Sequence, residues 1–173
     1  LFGGLAWREI MLLRACCKYL RQAGIAFSQE YMEQTLVNNS RISCQIIDLF
    51  KVRFDPNIKG KSKLFQNRLE IELEKVKSAD EDRILRRYIN LVMSMLRTNF
   101  YQTSDDVPKP YLSFKLDSKK IDELPLPRPF REIFVYSPRV EGIHLRFGMV
   151  ARGGLRWSDR REDFRTEVLG LVK

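Results

Sequence analysis

Apolar residues in the first hundred positions recur at spacings of three and four, the period of helices that bury one face. This pattern predicts five helices, and it predicts that the helical segment continues to about Phe100. The residues expected to face inward are Ile10, Leu13, Cys17 and Leu20 in the first helix, Ile42, Ile46, Leu49 and Phe50 in the third, Phe65, Leu69, Leu73 and Val76 in the fourth, and Leu85, Tyr88, Val92 and Met95 in the fifth.

Capping and breaking residues set the ends of these helices. Gly24 is a plausible end of the first helix, and Asp55-Pro56 should end the third because proline cannot continue a helix. Ser28 and Ser40 are candidate N-caps of the second and third helices. The stretch "SADE" at Ser78 to Glu81 fits a capping box that opens the fifth helix.

The pattern changes at "TSDDVPKP", residues 103–110, which is predicted to be a linker or domain boundary. Beyond it, "YLSFKL", "REIFVYS" and "GIHLRF" alternate between apolar and polar positions and are predicted to be strands. A last helix is expected to start near Asp159 or Asp163, with Phe164, Val168 and Leu171 facing inward.

The order of helices, strands and a final helix predicts an α+β fold. We expect a multi-helix segment over residues 1–104 and the first strands and helix of an α/β domain over residues 105–173. The chain begins at Leu1 and stops at Lys173 inside the last predicted helix. We therefore expect it to be a piece of a longer protein.

Composition narrows the class of protein. With 44% hydrophobic residues the chain can bury a core, and no apolar run reaches the roughly 18 residues of a membrane span. The net charge of +9 would suit nucleic acid, an anionic membrane or an acidic ligand. The basic residues are not clustered with aromatic ones as a nucleic-acid platform requires, so we do not expect a nucleic-acid partner. Because no apolar run is long enough to span a membrane, we do not expect a membrane partner either.

The three cysteines, Cys16, Cys17 and Cys44, have no spacing typical of a metal site or a disulfide framework. They are predicted to be buried reduced thiols, which favours a reducing compartment and a cytoplasmic location. His144 is the only histidine, and no further metal ligands are suggested near it. No metal site is expected.

The stretch "VARGGLRWSDRRED", Val150 to Asp163, carries the candidate chemistry. Backbone N–H groups at Gly153-Gly154 could approach a carboxylate or phosphate, and Arg152 adds a planar fork of donors. A Gly-Gly pair is more often only a turn, and Arg152 could instead pair with Asp159 or Glu162. Most other arginines here, including Arg160, Arg161 and Arg165, are expected to decorate the surface of a helical first turn, where ion pairs contribute about 0–1 kcal/mol each.

The stretch from Phe134 to Lys173 resembles the start of the catalytic region of the large bacterial NAD-specific glutamate dehydrogenases. Within it, "RGGLRW" is similar to a motif of the smaller glutamate dehydrogenases, in which a lysine precedes Gly-Gly-Leu/Ile-Arg and an aromatic residue. The family's lysine contacts the side-chain carboxylate of glutamate, and the adjacent glycine lines the same pocket. The resemblance thus implies that Arg152, Gly153, Gly154 and Arg156 bind substrate, with arginine in the place of the lysine.

The resemblance implies oxidative deamination of L-glutamate to 2-oxoglutarate and ammonia with NAD, in an enzyme that is a homo-oligomer. The family's catalytic lysine and its dinucleotide-binding domain would lie beyond Lys173, so the chain is expected to hold no catalytic or NAD-binding residue and to be inactive alone. The alternative is a non-catalytic helical interaction or regulatory module whose basic surface binds a partner protein or nucleic acid.

Overall fold

A computed structural model of the chain describes residues 4–157 and 164–171. The α-helices within these residues are Trp7–Gln22 (α1), Gln29–Asn38 (α2), Ser40–Phe54 (α3), Ser62–Leu73 (α4), Ala79–Ser94 (α5) and Phe164–Gly170 (α6). The strands are Met95–Thr98 (β1), Thr103–Ser104 (β2), Val107–Pro108 (β3), Leu112–Leu116 (β4), Arg131–Tyr136 (β5), Val140–Phe147 (β6) and Val150–Trp157 (β7). The predicted α+β class is confirmed.

The chain divides into two compact units. The first takes in the residues up to Arg21 together with Ala26–Met93. The second takes in Gln22–Ile25 and the residues from Ser94 onward. The units therefore divide between Met93 and Ser94, whereas the predicted boundary between a helical segment and a catalytic domain lies after residue 104.

The first unit contains α2 to α4 and all but the last residue of α1 and of α5. Most positions predicted to face inward are buried, including all four of those in α3, whereas Ile10, Phe65 and Val76 are only half-buried. The Ser28 hydroxyl accepts a hydrogen bond from the N–H of Tyr31 at 3.1 Å, which confirms this N-cap. Ser40 is the first residue of α3 rather than its cap, a position that Asn39 takes.

The fifth helix begins as predicted and ends earlier than predicted. The Ser78 hydroxyl accepts from the N–H of Glu81 at 3.3 Å, the first half of a capping box. The Glu81 carboxylate accepts from the side-chain amides of Asn38 and Asn39, at 2.8 and 3.0 Å. This contact ties the start of α5 to the junction of α2 and α3.

The prediction of helix up to about Phe100 is wrong, because β1 follows α5 directly. Met95 is fully buried and pairs with Leu116 of β4 in an antiparallel register. At the transition the Ser94 carbonyl accepts from the N–H of Asp117 at 2.9 Å. Pairing with a strand distant in sequence thus outweighs the helical spacing that Met95 continues.

The stretch "TSDDVPKP", predicted to be a linker or boundary, contains a β-hairpin, β2–β3. Its two central residues, Asp105 and Asp106, have φ angles of 50° and 61°. Positive φ at both positions is the signature of a type I′ turn, whose twist matches that of the flanking strands.

The second unit is built on a five-stranded sheet in the order β1-β4-β5-β6-β7, antiparallel throughout. The three predicted strands are confirmed as β4, β5 and β6. Ile143 and Leu145 of β6 form a buried cluster with residues of α6, namely Phe164, Val168 and Leu169. This helix therefore covers the sheet beside β6 and β7.

Two predictions for the last helix are confirmed and two are wrong. Phe164 and Val168 are buried as expected, but Leu171 is 65% exposed. Arg165, expected on the surface, is buried. The predicted start at Asp159 or Asp163, like Arg160 and Arg161, lies outside the described residues.

Cys16 and Cys17 are buried thiols and Cys44 is half-buried, and within the described residues none of them forms a disulfide. No helix in the described part of the chain is both long and apolar enough to cross a membrane.

Candidate functional site

The glycine pair of the candidate site lies in the middle of β7 and not in a turn after a strand. Gly153 pairs with His144 and Gly154 with Ile143 of β6. Neither has positive φ; among the described glycines only Gly4, Gly24 and Gly148 do. Both glycines therefore continue an extended strand and do not form the turn that a Gly-Gly pair more often makes.

Backbone polarity places Gly153 at the open edge of this sheet. The carbonyls of Val140 and Arg146 accept from Ser137 and Phe130, on the β5 side of β6. Residues of an antiparallel strand alternate between its two neighbours, so the odd-numbered residues of β6 face β7. Their register partners on β7 are even-numbered. The N–H and C=O of Gly153 therefore point away from β6.

Arg152 has an exposed side chain at this edge. Its Nη1 donates to the carbonyl of Ala151 at 2.9 Å, and among the described residues it forms no ion pair. The acids considered as alternative partners, Asp159 and Glu162, lie outside the described residues. A guanidinium beside the outward N–H of Gly153 presents several donors to one anion, which suits a carboxylate.

The two glycines make room for different neighbours. A Cβ atom at Gly153 would lie 2.9 Å from the carbonyl oxygen of Ile143 and 3.3 Å from Cδ2 of His144. A Cβ atom at Gly154 would lie 3.2 and 3.3 Å from two ring carbons of Phe164. Gly153 thus permits close approach of β6 and β7, and Gly154 permits close approach of α6 to the sheet.

Arg156 is the fourth predicted site residue, and its backbone pairs with Glu141 of β6. Strand β7 therefore carries Arg152, Gly153, Gly154 and Arg156 in one continuous element. Successive residues of a strand point to opposite faces, so Arg152, Gly154 and Arg156 share one face and Gly153 lies on the other.

A buried ion pair between β5 and α6 was missed by sequence reasoning. The guanidinium of Arg165 donates twice to the carboxylate of Glu132, from Nε at 3.0 Å and from Nη2 at 2.6 Å. Both side chains are at most 1% exposed. One signal was present, because in "REIFVYS" Glu132 alternates in phase with Phe134 and Tyr136, which are buried.

The described residues offer neither a metal site nor a dinucleotide site. They contain no group of three or more His, Cys, Asp or Glu side chains that could hold a metal ion, and His144 is exposed on β6. Dinucleotides bind where parallel strands cross over through helices. The antiparallel sheet described here does not fit NAD.

Comparison with known proteins identifies the relatives of this chain. The family described as bacterial NAD-glutamate dehydrogenase, catalytic domain, matches residues 68–173. The family described as glutamate dehydrogenase, helical motif 3, matches residues 1–56.

Curated proteins named NAD-specific glutamate dehydrogenase match the chain from end to end. The protein from Mycobacterium tuberculosis is 51% identical over 99% of this chain, and that from Halomonas elongata is 50% identical over 99%. The protein from Pseudomonas aeruginosa is 49% identical over 100% of the chain. In each comparison the chain spans 11% of the relative's length.

Proposed function

Because this chain belongs to the family of bacterial NAD-glutamate dehydrogenase catalytic domains, we propose that it is part of an enzyme that converts L-glutamate to 2-oxoglutarate and ammonia with NAD as hydride acceptor. The observation that carries the proposal is the family match over residues 68–173, which contains the whole of the sheet and α6. Identities of 49–51% to proteins named for this activity support it.

The role proposed for this part of the enzyme is to hold and orient the dicarboxylate substrate. Arg152 and the outward N–H of Gly153 bind its side-chain carboxylate, and Gly154 and Arg156 complete the same strand. Fixing one end of glutamate limits the positions its α-carbon can take, which lowers the entropic barrier to hydride transfer. A two-point contact from arginine suits this task better than a lysine, which acts as a point charge.

The bond-making groups belong to other parts of the enzyme. We assign no catalytic, NAD-binding or metal-binding residue to this chain, since its antiparallel sheet does not fit a dinucleotide. NAD supplies the hydride acceptor when bound elsewhere in the full-length protein. We propose further that the enzyme is a cytoplasmic homo-oligomer, that it binds neither nucleic acid nor membranes, and that residues 105–173 begin its substrate-binding domain.

The alternative, a helical interaction or regulatory module with a basic surface, gains no support from the family match. Two of the chain's arginines form ion pairs within the chain, one buried and one at the surface. Arg165 is buried against Glu132, and Arg86 contacts both Asp82 and Glu70.

The proposal is tested with the full-length protein that contains this chain. Purified protein should reduce NAD in the presence of L-glutamate and produce 2-oxoglutarate and ammonia in equal amounts. Residues 1–173 purified alone should do neither and should bind NAD negligibly. A full-length protein that reduces NAD with another amino acid and not with glutamate would refute the proposal.

A further inference from the structure

Glu132 of the Glu132–Arg165 pair is separated from the candidate substrate strand β7 by one strand, β6. Glu132 of β5 is opposite Leu145 of β6, and Leu145 is opposite Arg152 of β7. These three residues form one cross-strand row and project from the same face of the sheet. At about 4.8 Å per strand, Glu132 is about 10 Å from the position of Arg152.

Besides the ion pair, two other contacts hold helix α6 in place. Phe164 and Val168 lie over Gly154, with Val168 Cγ2 at 3.5 Å from where a Cβ atom would be. The backbone N–H of Arg165 donates to Oε1 of Gln22 at 2.9 Å, which satisfies one of the free donors in the first helical turn. Arg165 therefore has both its backbone and its side chain bound.

The ion pair restrains the position and orientation of α6 more tightly than apolar packing does. A buried ion pair is a weak source of stability, since well-packed apolar residues of similar volume serve as well or better. Its two parallel hydrogen bonds, however, fix the guanidinium in one plane and at one distance from the carboxylate. Apolar contacts between Phe164, Val168 and the sheet would tolerate sliding of α6 along β7.

We propose that Glu132 and Arg165 are positioning residues for the substrate site. Their paired hydrogen bonds hold α6 at one place on the sheet. Because Phe164 of α6 packs against Gly154, the position of α6 in turn fixes the position of β7. The guanidinium of Arg152 and the N–H of Gly153 are thereby aligned for the side-chain carboxylate of glutamate. This inference rests on the proposed function, because it specifies how the same site is held in place.

The test removes the pair without leaving a buried charge. In the full-length enzyme, the double substitution Glu132→Leu with Arg165→Met should leave the melting temperature close to that of the wild type. It should raise KM for glutamate and for 2-oxoglutarate about tenfold or more, since misplacement by about 1 Å can cost about a hundredfold in rate. KM for NAD should stay unchanged.

Two further variants separate positioning from stability. Arg165→Lys keeps the charge but loses the planar fork, so its KM for glutamate should lie between those of the wild type and the double variant. Leu116→Ala creates a cavity at the other end of the same row, opposite Glu132. It should lower the melting temperature while leaving KM for glutamate unchanged.

The outcomes distinguish this inference from the proposed function. Wild-type enzyme without activity on glutamate would refute the proposed function itself. An active wild type together with an unchanged glutamate KM in the double variant would refute the positioning role alone. If the double variant does not fold, Arg165→Lys decides: an unchanged KM for glutamate overturns the role and a raised one supports it.

Discussion

Gly153 of β7 and Gly142 of β6 have different close neighbours, so substitution can distinguish their roles. At Gly153 an added methyl group would meet a backbone carbonyl oxygen, that of Ile143 at 2.9 Å. At Gly142, on β6, it would meet the end of a flexible side chain, Cδ2 of Leu155 at 2.7 Å. Leu155 is exposed and can rotate away, whereas the carbonyl is held in the sheet.

We therefore expect Gly153→Ala to lower the free energy of unfolding of the 173-residue chain by about 1–3 kcal/mol, the usual cost of overpacking. Gly142→Ala, the matched control, should lower it by less, because the Leu155 side chain can move away. Urea unfolding followed by circular dichroism measures both. Equal effects of the two substitutions would show that the close approach of β6 and β7 does not require a glycine at position 153.

At the same scale, Glu132 and Arg165 show what a single sequence does and does not reveal. The alternation in β5 places Glu132 on the buried face with Phe134 and Tyr136. A buried carboxylate needs a partner, but the sequence does not say which of the many arginines supplies it. That choice depends on where α6 packs, 33 residues later in the chain.

Among the elements, those with strong side-chain periodicity were predictable. Strands β4, β5 and β6 follow from alternation, and α3 follows from a row of four buried apolar residues. Strand β7 was not predicted, because Gly153 and Gly154 have no side chains to reveal alternation. Strand β1 was missed because Met95 continues the spacing of α5, whereas its partner in the sheet, Leu116, lies 21 residues later in the chain.

The β2–β3 hairpin gives a prediction at this scale. Asp106 adopts φ of 61°, a conformation that glycine takes without steric cost. Asp106→Gly should raise the free energy of unfolding of the chain by about 0.5–1 kcal/mol, since Asp-Gly is a preferred pair in type I′ turns. A shift of the urea midpoint to higher concentration at constant slope is the expected result. Lower stability of the variant would mean that the side chain of Asp106 stabilises the turn.

For the molecule as a whole, the buried thiols of Cys16 and Cys17 determine how the free energy of unfolding changes at alkaline pH. Burial raises the pKa of the Cys17 thiol to about 11, and it raises that of Cys16 as well. An unfolded cysteine titrates near pH 8.5. Between these values the unfolded chain releases protons that the folded chain retains. The contribution of the buried thiols to the free energy of unfolding is therefore complete below about pH 8.5 and is lost as the pH rises toward 11.

The titration of Cys17 alone should lower the free energy of unfolding by about 3 kcal/mol between about pH 8.5 and 11. Urea unfolding at a series of pH values measures the decline, and a variant with Cys16→Ala and Cys17→Ala is the control. Its stability should fall less steeply, because it lacks the two thiols whose pKa values burial raises. Parallel declines would show that these thiols do not govern the alkaline response.

The most direct test of the account is the steady-state kinetics of Arg152→Ala in the full-length enzyme. Loss of a charged hydrogen bond worth about 1.5–3 kcal/mol should lower kcat/KM for glutamate at least about tenfold, through a higher KM. KM for NAD should remain within about twofold, and Arg152→Lys should recover part of the loss. A folded Arg152→Ala enzyme with unchanged kcat/KM for glutamate would contradict the assignment of β7 to the substrate site.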